Sequence, residues 1–395
     1  MGSSATAHAE PDWLVERRRK GASLARELSL PDQKAKGWEF TDLSELELDA
    51  YPPQPGSVEG LDHGGLRAGG AAVIPLTAAF DQTGDVVRER LGSVVPASDP
   101  FVARNTAEWR QGALVYVPRG QVLDEPARIS IDPGPEGSGV DWRTLIVLEE
   151  GAQAEVWERY GSGGAAGLFN GVTEIVLGPG ANLRFVCTQE LPETSWVFAT
   201  QRAELGADAS LEWIALGFGS ARGKVRMETK LDGRGSGAKV TGAYVGAGRQ
   251  HLDYDTTQEH AAPNTTSDLA FRGVLGERAT AVWRGMIRVD PGAQQTDAFQ
   301  ESRNLLLSHR AHADAIPGLE IEANDVRCTH AAAVAQVDRE QLHYLRAHGL
   351  TEPAAKRLII DGFLHALVER VSAGQLRETL SGSLERRLAQ ILDSA

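Results

Sequence analysis

A turn formula that recurs between short strand-like runs is the strongest constraint this sequence places on its fold. Leu148-Glu-Glu-Gly-Ala-Gln-Ala154, Leu177-Gly-Pro-Gly-Ala-Asn-Leu183 and Glu204-Leu-Gly-Ala-Asp-Ala209 each combine an apolar entry, a glycine-bearing turn and an alanine. With Gly151, Gly180 and Gly206 taken as equivalent, the spacings are 29 and 26 residues. Weaker echoes stand at Val274-Leu-Gly-Glu-Arg-Ala279 and Val289-Asp-Pro-Gly-Ala293. Runs of period two, such as Ala113–Val117, Thr144–Leu148, Thr173–Leu177 and Leu183–Cys187, fill the zone from about Gly112 to Leu307. A strand–turn–strand unit with a period in the twenties predicts a β-solenoid. Each coil of such a fold buries its inward side chains only against the coils above and below. A β-sandwich would use similar strands without a recurring turn formula.

The flanks change period. Leu14, Gly21, Leu24, Ala25 and Leu28 follow helical spacing over residues 12–28, and Pro31 ends that helix. The Pro/Gly-rich stretch 51–70 reads as a loop or linker. Beyond Val337, Asp338 is placed to cap a helix that Gly349 closes. Thr351 and Pro353 open a second helix, with an apolar stripe at Ile360, Phe363, Leu364, Leu367, Val368 and Val371. A third run carries Leu376, Leu380, Leu384, Leu388 and Leu392. The expected organisation is therefore a helical N-terminal region and linker (1–100), a β core (101–337) and a C-terminal helical domain (338–395).

Composition removes several classes. Acidic residues outnumber basic ones by 54 to 40, for a formal charge of −14, and a nucleic-acid binder ordinarily presents a basic face. The opening residues, MGSSATAHAEPDW, lack the basic-then-apolar layout of a signal peptide. No run approaches the roughly 18 apolar residues of a spanning helix, so a soluble, cytoplasmic protein is expected. Its two cysteines, Cys187 and Cys328, are then expected as free thiols.

Cys328-Thr-His330 carries the most chemistry. On a strand, the i, i+2 spacing puts both side chains on one face. The plain reading is a buried thiol and a hydrogen-bonded imidazole in the core. The chemical reading is half of a zinc, iron or iron–sulfur site, completed from outside because no further local cysteine exists. His309 and His312 would converge on a helix but not on a strand, and His343 and His348 read as surface residues. Gly217-Phe-Gly-Ser-Ala-Arg-Gly-Lys-Val225 imitates a phosphate loop. Phe218 and Val225 replace the required Gly and Ser/Thr, so ATP hydrolysis is excluded. Gly161–Gly167 is a glycine-rich turn without a dinucleotide fingerprint. Asp253, Asp255, Glu259 and Asp268 are the carboxylates a solenoid acting on carbohydrate would need in one groove, although solvated turn carboxylates are the commoner case.

Arg303-Asn-Leu-Leu-Leu-Ser308, Leu319-Glu-Ile-Glu-Ala-Asn-Asp-Val-Arg-Cys-Thr-His330 and Tyr344-Leu-Arg-Ala-His-Gly349 together resemble the SufB/SufD family of iron–sulfur cluster assembly proteins. Trp38-Glu-Phe-Thr-Asp-Leu43 and the low cysteine count are most similar to SufD. The resemblance implies a mainly β fold, a right-handed parallel β-helix core with an N-terminal helical segment and a C-terminal α-helical domain. It further implies a non-catalytic scaffold that pairs with SufB through the β-helix and binds the SufC ATPase through the C-terminal helices, with a homodimer also open. Cys328 and His330 match the family's Cys-x-His positions, where an iron ion or cluster would be held transiently between subunits and not stably by one chain. Tyr344, Arg346, Leu358 and Phe363 are the residues placed to meet SufC, with core packing as the other reading of Leu358 and Phe363. One departure from the family pattern is Ala331-Ala-Ala where Gly-Ala is usual. The other classes left open are a SufB-type cluster carrier and a β-solenoid carbohydrate-active enzyme.

Overall fold

In the computed structural model, which describes residues 10–161, 166–371 and 374–393, the strands form two facing nine-stranded sheets, and from Gln111 onward each strand lies in the other sheet from the one before it. Equivalent strands of successive coils pair in parallel, with Leu148, Leu177, Leu205 and Leu231 in register. All four are at most 2 % exposed. This is the parallel β-helix that the turn formula predicts. Period-two alternation sends one set of side chains into the bore and the other onto the outer walls.

The corners explain why the sequence repeat is imperfect. At one corner Gly120, Gly151, Gly180, Asp208, Gly235, Asn264 and Gln295 all have positive φ. In the first six, the N–H donates to the carbonyl of the residue preceding its counterpart in the next coil, as Gly151 does to Pro179 (2.8 Å) and Gly180 to Ala207 (2.7 Å). In the third turn Asp208 (φ 56°), and not the expected Gly206, holds the left-handed position. A short polar side chain tolerates that conformation by bonding locally. The echo at Val274–Ala279 belongs to the opposite corner, where Ser220, Gly248 and Glu277 take the positive φ. The turn formula thus draws on two different corners of the coil.

Both outer walls are covered. The helix Asp12–Glu27 and residues through Trp109 lie on one sheet, where Leu14, Ile74, Leu91 and Trp109 pack on Leu114 and Leu145. Part of the stretch expected as a linker contributes structure as well. Ser57–Glu59 pairs antiparallel with Ala127–Asp132, and Ala72–Pro75 with Gln111–Val117. The tail helices Arg339–Ala347, Glu352–Val368 and Gln375–Asp393 follow the expected stripes. Ile360, Leu364, Leu380 and Leu384 bury against Val186, Ile214 and Leu216 on the other sheet, each contributing about 1.5–3 kcal/mol. Residues 1–9 and 162–165, which include the expected leaderless start and most of the Gly161–Gly167 turn, lie outside the described residues.

Candidate metal centre

Cys328 and His330 stand on Val326–Gln336, the last strand of one sheet, paired in register with Ala298 and Gln300 of the strand Thr296–Leu306. Those partners belong to inward rows, so Cys328 and His330 continue the lining of the bore where it ends. Cys328 is half-buried against the cluster of Ile287, Val289 and Ala298. Burial, and then the Asp297 carboxylate, push its thiol above the usual range; a neighbouring cation would reverse that shift. His330 is exposed. Both cysteines are free. Among the described residues, no three or more His, Cys, Asp or Glu side chains are grouped to hold a metal ion.

The main chain around the pair is also unsatisfied. Val337 N–H donates back to Leu306 O. In a parallel ladder, alternate residues turn both polar groups to the same neighbour. The even-numbered residues of this strand, Cys328 and His330 included, therefore present N–H and C=O to the free edge. On the other sheet the last strand is His312–Ile321, where His312 and Glu322 donate back to Ala279 and Val289. There the odd-numbered residues face outward, and Pro317 removes one donor from that edge. Ile316, Leu319, Ile321 and Val334 expose large apolar side chains at this end. In the sequence these four look like ordinary strand residues, and only their place on the last strands sets them apart.

The remaining candidates separate. His312 Nε2 meets Asp314 Oδ2 at 3.0 Å, while His309 lies in the preceding turn near Arg339, so the two do not converge. His343 is exposed, and the His348 ring lies tilted against Tyr344, 4.2 Å between centroids. Lys224 of the false phosphate loop is buried and held by both Asp253 oxygens at 2.9 Å. Asp255, Glu259 and Asp268 pair with Arg284, Arg202 and Arg370, so they form no free carboxylate groove. In the tail, Tyr344 (62 % exposed) and Leu358 (52 %) border an open apolar hollow completed by Leu345 and Ile359. Arg346 pairs with Glu352 at 3.5 Å. Phe363 turns inward under the Arg272 guanidinium, 5.1 Å from its ring. Trp38-Glu-Phe-Thr-Asp-Leu43 straps the opposite wall: Trp38 stacks on Phe101, Glu39 pairs with Arg284, and Thr41 donates to Asp253.

Residues 133–363 match the family described as SUF system FeS cluster assembly, SufBD core domain. The chain belongs to the SufBD family. It is 28 % identical over 370 residues to an iron–sulfur cluster assembly SufBD family protein of Mycobacterium tuberculosis, covering 91 % of this chain and 89 % of that one. It is 27 % identical to a SufBD family protein of Synechocystis, covering 94 % and 91 %. To the iron–sulfur cluster assembly protein SufB of Bacillus subtilis it is 28 % identical, over 78 % of this chain and 66 % of that protein. The family assignment spans the last coils, Cys328, His330 and most of the first two tail helices. No helix among the described residues is long and apolar enough to cross a membrane.

Proposed function

We propose that this SufBD protein is a non-catalytic, SufD-type scaffold of iron–sulfur cluster assembly, working in the cytoplasm at an interface with a SufB-type subunit. The observation that carries this reading is the open last coil, whose free edge bears Cys328 and His330. A strand of the partner added to that edge would bond to the main chain of these two residues and bring its own side chains beside theirs. One thiolate and one imidazole are half the donors a cluster or a tetrahedral ion takes, so the cluster, as cargo, is held between subunits and not by this chain alone. A carrier role for this chain is disfavoured by its other thiol. Cys187 is buried and pushed up to about 12, first by burial and then by the Glu158 carboxylate. An edge of the same kind could pair two copies before a SufB-type subunit arrives.

The three parts divide the work: 1–100 closes one wall, 101–337 carries the interface, and 338–395 receives the SufC ATPase. Tyr344 and Leu358 form that contact, with Arg346 at its margin and Phe363 anchoring the helix from behind. Cys328→Ala and His330→Ala should leave folding and complex yield unchanged while cluster content falls when the partner proteins are co-expressed. Normal cluster content in both variants would overturn the assignment. Deleting the whole tail would uncover Val186, Ile214 and Leu216, so the SufC contact is better read by Leu358→Glu. That variant should lose SufC capture with its unfolding midpoint intact; undiminished capture moves the contact elsewhere.

A further inference from the structure

The bore of the β-helix carries the same side chain at two equivalent heights. Trp142 and Trp283 stand in one inward row, linked in register through Gly171, Ala199, Val225 and Tyr254. Glu158 and Ser302 are likewise equivalent on the facing sheet, through Cys187, Ala215, Gly242 and Phe271. In the earlier coil the Trp142 indole donates to Glu158 Oε1 (2.8 Å) and Thr144 Oγ1 (2.7 Å). In the later coil the counterparts of Thr144 and Glu158 are Gly285 and Ser302. The threonine hydroxyl is gone, and the carboxylate is replaced by a short serine hydroxyl that accepts from Asn304 Nδ2.

Trp283 Nε1 is accordingly left without a hydrogen-bond partner in the protein, and so is Gln300 Oε1. Both residues, and Ser302, are 0 % exposed. The two side chains adjoin: Trp283 Cη2 and Gln300 Oε1 lie 2.2 and 2.5 Å from the point a Cβ on Gly285 would occupy. Gln300 has its donors committed, with Nε2 on Gly285 O (3.2 Å) and Gly318 O (3.1 Å). Its side chain therefore crosses the bore from one sheet and ties together two strands of the other. A buried donor and a buried acceptor that adjoin without bonding are the kind of groups an internal water joins.

We propose that a buried water bridges Trp283 Nε1 and Gln300 Oε1, and that it locks Gln300 as a positioning residue for the last coil. Gln300 stands in register with His330, and Gly318 belongs to the terminal strand of the facing sheet. The water holds the amide in the orientation that keeps both Nε2 bonds. The brace thus fixes the strand Gly318 occupies against Thr296–Leu306, the strand on which that of Cys328 and His330 is laid. This proposal concerns the fold of the free chain, so its failure would leave the proposed cluster function standing.

The test is a high-resolution crystal structure of the full chain with amide hydrogen exchange, repeated on the volume-conserving Gln300→Met. The wild type should show a density peak within hydrogen-bond reach, about 2.7–3.2 Å, of both atoms. Gln300→Met should lose the peak, and amides of 312–321 and 326–336 should exchange about five- to tenfold faster, as loss of one or two net hydrogen bonds predicts. A dry gap in the wild type, or a Gln300 amide bonded directly to Trp283, overturns the water. Unchanged exchange in Gln300→Met overturns the brace.

Discussion

The β-helix begins and ends in different ways. At its start the first parallel strands are bordered by short antiparallel ones, Ser57–Glu59 and Ala72–Pro75, the second of which ends in proline. Short strands and proline are standard devices against pairing with another chain. The wall above is sealed with buried charge. Glu174 accepts from Arg143 Nη2 (2.7 Å) and from the N–H groups of Gly92, Val94 and Val95. At the other end, strands of 10 and 11 residues stand bare with exposed apolar side chains and a thiol–imidazole pair. One end is blunted and the other left open, and the proposed partner interface rests on that contrast.

The contrast breaks first at the closed end. Glu174→Ala would strand Arg143, 2 % exposed at its side chain, and should cost about 3–5 kcal/mol in urea unfolding. A loss below about 1 kcal/mol would mean that the beginning is no better sealed than the end. A smaller effect tests the early bore. Burial raises the Glu158 carboxyl above its ordinary range, against the hydrogen bonds from Thr144 and Trp142 that lower it. Its folded form therefore keeps a proton that the unfolded chain releases near pH 4.3. The stability this supplies is present below that pH and is lost as pH rises toward the raised folded value. Glu158→Gln removes the dependence, so its melting temperature should gain on wild type between pH 4 and pH 8. A constant difference across that range would show that Glu158 ionises normally. The smallest effect on the fold is expected at the open end. Val334→Lys should change stability by no more than about 0.5 kcal/mol while co-purification with a SufB-type partner collapses. Retained pairing would place the interface on another face.

Much of this architecture was legible in the sequence because it depends on local regularities. Period two, helical stripes and capping residues such as Asp338, which accepts from Glu340 N–H at 2.8 Å, are written in consecutive residues. The equivalence of turns was harder to read. A left-handed corner can be held by Asp208 or Asn264 as well as by glycine, and two corners alternate along one chain. Cys328 and His330 could be placed on a common face from their spacing. That this face is the last rung of a bore, with its main chain unpaired, depends on which strand has no successor.

The sequence by itself determined the repeat, the helical flanks, the Cys-x-His pair and the absence of a working phosphate loop, since each depends on residue type at short range. Only the tertiary structure decided that Lys224 is spent on Asp253, that Phe363 faces inward while Leu358 does not, and that Trp142 has a carboxylate where Trp283 has none. These are contacts between residues up to a coil or more apart. The physical reason is that a solenoid sets side chains about 29 residues apart against each other, and only the register says which ones meet.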